Sequence, residues 1–383
     1  MPLQFERSEY SARREAAQER MRVAGLAGML LFRQESMYYL TGYDSTGFLT
    51  FQCLLLTADG ELVLLTRSPD LRQSKYTSVI EDVRIWRDRA DFNPAFDLRD
   101  ILEEKGLRNA KLGIELEAFG LTAARGKWVE EAMQGFCLLQ DASALVSELR
   151  LVKSNAELAY VEKAGALADE ALDVAKATAR PGVFEGELYA QMHGTIFRGG
   201  GFYPASRFAI GSGDKALIVR TTCEMGTIGE DDQLQLEFAA AYRHYHAGLM
   251  RTLLTGKVRD EHRDMHKASV DAMAACKEAC RPGGMAGDIF DAHARVYDAA
   301  GYKEHRLNAC GYSLGATYSP SWMDWPMLHT GQPVELKPNM VFLLLMILLD
   351  SEKGLAMSHG ETVVVTDIGC RTLSNADNDL IVL

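Results

Sequence analysis

The sequence predicts an α/β amino-terminal domain over residues 1–148 and an internally duplicated α+β domain over residues 149–383. Two observations carry this. Helical and strand-like segments alternate through the first 145 residues, the pattern of helices layered on a sheet. Further on, a frame of Arg-Pro-Gly, then Gly, an acid and an aliphatic residue occurs twice, 101 residues apart. A chain of 383 residues, 47% apolar and 25% charged, has ample material for two large cores.

The elements follow in order. Residues 8–24 read as a charged amphipathic helix ending near Gly25, and residues 29–32 as a short buried strand. Residues 52–56 and 62–66 flank Asp59-Gly60, a dipeptide suited to a tight hairpin turn. A helix over 96–105, a strand over 111–115 and a helix over 123–133 complete the first domain. Ser154-Asn155-Ala156-Glu157 fits a capping box, with Ser capping the first turn and Glu reaching back. The helix it opens is expected to run to about residue 179 and to stop at Arg180-Pro181-Gly182.

That stop belongs to the first copy of the repeat, whose second copy begins at Arg281-Pro282-Gly283. Each copy follows a long helix and opens another, which ends near Gly201-Phe202 or Gly301-Tyr302. A β-rich stretch comes next, over residues 208–254 and 336–366 respectively. Two such units pack as a pseudo-symmetric domain with a cleft between the halves.

Composition narrows the partners. The net charge of −12 and the lack of any long basic run argue against nucleic acid. The longest apolar run, residues 340–349, is about half of what a membrane span needs. Residues 6–15 are charged and unlike a secretory signal, so the cytoplasm is the expected compartment. The seven scattered cysteines read as reduced thiols.

Several motifs, taken together, resemble the pita-bread superfamily of aminopeptidase P, prolidase, creatinase and ectoine hydrolase. The carriers are Tyr39-Leu40-Thr41-Gly42-Tyr43-Asp44, Arg150-x-x-Lys153-x-x-x-Glu157, and Glu237-Phe238 leading to Tyr245-His246 and Arg251-Thr252. Gly311-Tyr312-Ser313-Leu314-Gly315, the segment 336–342 and Glu361-Thr362-Val363-Val364-Val365-Thr366 complete the set. The resemblance spans nearly the whole chain and implies a homodimer in which a first-domain loop bearing Tyr43 and Asp44 lines the partner's cleft.

Peptidase members of that superfamily hold two divalent metals with two Asp, one His and two Glu. Here the Asp positions are Glu237 and Gly248, and the His position is Tyr312. One Glu position falls within residues 343–346 and the other at Gly360 or Glu361. Two carboxylates at most cannot hold such a pair, so no metal or other cofactor is expected.

The segment Glu237-Phe238-x-x-x-Tyr242-x-x-Tyr245-His246 and Tyr318-Ser319-Pro320-Ser321-Trp322 look most like ectoine hydrolase. This implies a metal-independent hydrolase of a C–N bond in a small nitrogenous solute, an ectoine-type cyclic amidine first and a creatine-type guanidine second. Glu237 and Glu361 are carried over as active-site carboxylates, since an amidinium carbon is cationic and one carboxylate can act as base or nucleophile. The loop histidine of these relatives is missing from residues 212–221, where Arg220 is the nearest polar candidate for a substrate carboxylate. His246 is then the candidate proton carrier, and Tyr43, Tyr312, Trp322 and Tyr245 the candidate substrate-binding aromatics. Two other readings stay open: a lyase acting on a dimethylsulfoniopropionate-like solute, and a non-catalytic binding protein that has lost the peptidase metal site. Gly199-Gly200-Gly201 lacks a Walker Lys-Ser/Thr, and Gly311-x-Ser313-x-Gly315 lacks a following helix, so neither a phosphate loop nor a nucleophile elbow is expected.

Overall fold

The computed structural model describes residues 3–90, 92–220 and 225–383, in two units, Met1–Arg150 and Leu151–Leu383. The first contains α1 (Arg7–Val23), β1 (Gly28–Leu31), α2 (Gln34–Thr41), β2 (Cys53–Thr57), β3 (Leu62–Thr66) and α3 (Asp70–Thr77). It continues through β4 (Asp82–Ile85), α4 (Ala95–Glu104), β5 (Lys111–Ile114), α5 (Ala123–Met133), β6 (Leu138–Asp141) and α6 (Ala144–Leu151). The sheet order is β4-β3-β2-β1-β5-β6, with the β2–β3 hairpin antiparallel and β5 parallel to β1. Leu30, Leu55, Val63 and Leu65 pack towards α4 and α5, while Met29, Leu54, Leu56 and Leu64 pack with Ala17, Met21, Met37 and Leu40 of α1 and α2. Because both faces are covered, the strands read as unbroken apolar runs.

The second unit starts with α7 (Asn155–Thr178), whose capping box forms as expected: Glu157 N–H donates to Ser154 Oγ at 3.2 Å and Ser154 N–H to Glu157 Oε2 at 2.9 Å. Next come α8 (Glu185–Arg198), β7 (Ala209–Ser212), β8 (Gln233–Tyr242), β9 (Tyr245–Leu254), α9 (Asp260–Ala279) and α10 (Ala286–Ala299). The chain ends with β10 (Gly311–Ser313), β11 (Asp324–Met327), β12 (Val341–Asp350), β13 (Leu355–Val365), β14 (Cys370–Thr372) and β15 (Ile381–Val382). No helix follows β10, so a nucleophile elbow at Ser313 is excluded.

The duplication is visible in backbone detail. Gly182 and Gly283 occupy the same place in the two copies and share the left-handed region, at φ +84° and +81°, where glycine carries no steric penalty. Gly182 N–H donates to Ile228 O at 2.9 Å and Gly283 N–H to Leu336 O at 3.0 Å. Each copy then supplies a long hairpin, β8–β9 and β12–β13, and the two hairpins join through β9 and β13 in a nine-stranded sheet ordered β11-β10-β12-β13-β9-β8-β7, with β14 and β15 attached to β13 and β9.

Helices α7 and α9 lie against this sheet on one face. The pleat sorts the side chains. Phe342, Leu344, Met346 and Leu348 of β12, with Met357, Val363 and Val365 of β13, pack into the core formed with α9 and α10. The intervening residues therefore point to the opposite, inner face. They include the paired sets Leu343–Thr362 and Leu345–Gly360, then Gly360–Met250, Met250–Glu237 and Gly248–Ala239.

Among the described residues, no helix is long and apolar enough to cross a membrane. The described cysteines are free thiols; Cys223 and Thr221 lie outside the described residues. Removing the Ser154 cap by Ser154→Ala leaves one helix-end donor without its side-chain acceptor. It is expected to lower unfolding free energy by about 1 kcal/mol, read as an earlier urea midpoint with unchanged slope.

Candidate active site

Glu237 lies mid-strand on β8 and is partly exposed, on the inner face. Its ladder partner is Met250, and Leu345 and Gly360 continue the row across β12 and β13. An apolar floor leaves a carboxylate poorly solvated, and burial pushes Glu237 up to about 7, against the opposing pull of the Arg220 guanidinium and a hydrogen bond with Tyr312. Burial raises the Tyr312 phenol too, so it stays protonated and donates. The Tyr312 hydroxyl in turn accepts from Trp322 Nε1 at 2.8 Å. Trp322, Tyr312 and Glu237 thus form a chain of hydrogen bonds, and all three were sequence candidates.

Arg220 is exposed on the loop after β7. Glu185, the first residue of α8, holds that loop. Its buried carboxylate accepts from Ser212 N–H and Ser212 Oγ, both at 2.7 Å, from Gly226 N–H at 2.6 Å, and from the Lys215 ammonium. Burial alone would raise the Glu185 pKa, but Lys215, Ser212 and Gly226 hold it below the usual carboxylate range. Glu185 therefore pins both sides of the segment that carries Arg220, a role the sequence reading missed.

Four sequence candidates do not join this group. Glu361 alternates to the helix face of β13. There it meets Arg251 at 3.2 Å, the Lys277 ammonium of α9, and His359 Nε2 at 3.4 Å. It is a buried structural counter-ion rather than an inner-face carboxylate, and the residue that does face inward is Gly360. Tyr245 also points to the helices, donating to Glu157 Oε1 at 2.8 Å. Tyr43 is wholly buried in the core of the first unit, donating to Gln52 Oε1 at 3.2 Å. His246 is on the inner face, yet both nitrogens are engaged. Nε2 accepts from Ala205 N–H at 2.9 Å, and Nδ1 lies 3.4 Å from Gly315 O and 3.2 Å from Thr317 Oγ1. Burial holds its pKa down at about 4, so it is neutral and fixed in place, unsuited to carrying protons.

The inner face also shows what fills the positions that the resemblance assigns to a peptidase metal pair. Facing inward there are Glu237, Gly248, Tyr312, Leu343 and Leu345 from residues 343–346, and Gly360: one carboxylate and one phenol among groups that bind nothing. Space for the missing ligands is taken as well: a Cβ at Gly248 would lie 2.8 Å from Leu343 Cδ2, and one at Gly360 would lie 2.9 Å from Met250 Cβ. Among the described residues, no cluster of three or more His, Cys, Asp or Glu is placed to share an ion. This donor set does not fit a divalent pair, which requires several carboxylate oxygens.

The fold defines a pita-bread protein. Residues 13–152 match the creatinase/prolidase N-terminal domain and residues 159–367 match metallopeptidase family M24. The chain belongs to family M24, a family of hydrolases. It is 26% identical to an ectoine hydrolase of Halomonas elongata, over 99% of this chain and 98% of that one. It is 28% identical to an uncharacterized hydrolase/peptidase, y4tM, of Sinorhizobium fredii, over 99% of each chain. Among solved structures, the dipeptidase PepE of Mycobacterium ulcerans matches with a TM-score of 0.86 at 23% identity, over 99% of each chain. A Pyrococcus horikoshii dipeptidase matches with a TM-score of 0.84 at 24% identity, over 97% of this chain and 100% of that one.

Burial alone would raise the Glu361 pKa, but His359 and Lys277 hold it at about 2. The stabilisation it contributes is complete above the usual carboxylate range and is lost as pH falls towards 2. Glu361→Gln leaves Arg251 and Lys277 facing a neutral amide, with an expected cost of about 3–5 kcal/mol. Urea unfolding at pH 7 and pH 3 checks this: the gap between the variant and the unmodified chain should narrow at the lower pH.

Proposed function

We propose that this chain hydrolyses a non-peptide C–N bond in a small amidine- or guanidine-like solute, an ectoine-type cyclic amidine first and a creatine-type guanidino acid second, without a metal pair. The observation that carries this reading is Glu237: an inner-face carboxylate, desolvated to a pKa of about 7 and held by Tyr312. A group poised near neutrality can both take and return a proton under cellular conditions. The full-length similarity to an ectoine hydrolase supports the substrate class.

In this reading the amidinium carbon sits over Glu237. The ionised carboxylate removes a proton from an attacking water, whose oxygen bonds to that carbon. That proton passes to the departing nitrogen as the C–N bond breaks, and the remaining hydroxyl proton follows through Glu237 to the same nitrogen, leaving a neutral amide and a protonated amine. Glu237 ends the cycle as it began, so no external acid is consumed. Tyr312, fixed by Trp322, orients the carboxylate. Arg220, on its Glu185-anchored loop, pairs with the substrate's own carboxylate, a role that suits a planar guanidinium. Neither Glu361 nor His246 takes part.

Three outcomes test the scheme, each followed by proton NMR of ectoine or creatine with the whole chain. Turnover should survive exhaustive chelation. Glu237→Gln should lower kcat by on the order of 10²–10⁴-fold, and turnover that persists undiminished would sink the mechanism. For the unmodified chain kcat/KM should rise with pH through a midpoint near 7, because the reactive form is the ionised carboxylate.

A further inference from the structure

Gln235 is an inner-face group that the scheme above does not use. Gln235 precedes Glu237 by two residues on β8, so the pleat turns both side chains the same way, roughly 7 Å apart along the strand. Its side chain is only 2% exposed, and its buried Oε1 has no hydrogen-bond partner. The nearest hydroxyls on that face are already committed to each other. Thr252, the ladder partner of Gln235, has its Oγ1 at 3.2 Å from Ser358 Oγ and accepts from Ser358 N–H at 2.8 Å. The turn Gly213–Leu217, part of the Glu185-anchored loop, packs against β7, β8 and β13 at this end of the sheet. A buried acceptor without a partner is costly and rare. Here it stands beside the reactive carboxylate, under the loop that delivers Arg220.

We propose that Gln235 is a specificity-determining residue: its amide oxygen accepts an N–H from an amidinium or guanidinium solute whose reacting carbon lies at Glu237. The proposal rests on the reading of Glu237 given above. An amidinium carries N–H groups on more than one side of its central carbon, so Glu237 and Gln235 can bind it at two points along one strand. A neutral amide adds an acceptor without adding a second charge that would repel the ionised Glu237. A quaternary ammonium offers no N–H and would leave Oε1 as it is now, which makes the pair selective against such solutes.

The test is calorimetric binding to the whole chain of ectoine, creatine and, as a quaternary ammonium, glycine betaine. The unmodified chain should bind ectoine or creatine in clear preference to betaine. Gln235→Leu should weaken that binding by on the order of tenfold while leaving the weak affinity for betaine unchanged. Should the Leu variant fail to fold, Gln235→Met removes the same acceptor on a more adaptable stem. Unchanged affinity for ectoine and creatine in the Leu or Met variant overturns the proposal, and so does an equal loss of affinity for betaine, since the contact would then not be an accepted N–H. Glu237→Gln separates the two layers of argument. Turnover that persists undiminished in Glu237→Gln, with affinity that falls at Gln235, removes the reading of Glu237 and keeps the Gln235 contact. Turnover lost in Glu237→Gln with affinity unchanged in the Gln235 variants does the reverse. Absence of binding to both ectoine and creatine overturns both.

Discussion

The pleat of four long strands governs everything chemical in the second unit. Side chains on β8, β9, β12 and β13 alternate between a face packed on helices and a face left open, and antiparallel pairing locks the register across the sheet. One step along β13 separates Glu361 from Gly360, and that step decides whether a carboxylate serves the core or the inner face. The same rule places Glu237, Met250, Gly360 and Leu345 in one row, so the inner-face carboxylate and its apolar surroundings are consequences of a single registration.

The two glutamates show how environment assigns roles. Glu361 is buried among Arg251, Lys277 and His359, which favour its charge more than burial opposes it. Glu237 has only one guanidinium and one phenol to offset a comparable loss of water, and burial wins. The result is one carboxylate that stays charged throughout the physiological range and another that exchanges its proton near neutrality. Glu185 is a third case, a buried carboxylate that spends its charge on four donors to hold a loop.

Much of the architecture was legible in the sequence because its signals are local or repetitive. The capping box at Ser154, the Asp59-Gly60 turn and the two Arg-Pro-Gly stops each carry their own geometry. Short elements without such signals, among them α2, α3 and β4, escaped reading; α2, every residue of which is buried, is ordered by packing and not by propensity. Of the candidate site residues, Glu237, Tyr312 and Trp322 are brought together by hydrogen bonds, and Arg220 acts on Glu237 from its loop. The errors at Glu361 and Tyr245 share one cause, since motif position does not state which face a strand residue occupies. His246 failed for another reason: its partners, Ala205, Gly315 and Thr317, are remote in sequence. Gln235 was readable from the alternation Gln233, Gln235, Glu237, had the strand been divided by face.

The filled spaces at Gly248 and Gly360 bear on what the inner face can be made to hold. A side chain placed at position 248 must first displace Leu343, and one placed at position 360 meets the Cβ of Met250, an atom that no rotamer change can move aside. The penalty is lighter at position 248, where the obstacle is the end of a flexible side chain. A carboxylate introduced at either place therefore needs a compensating change beside it, at Leu343 or at Met250.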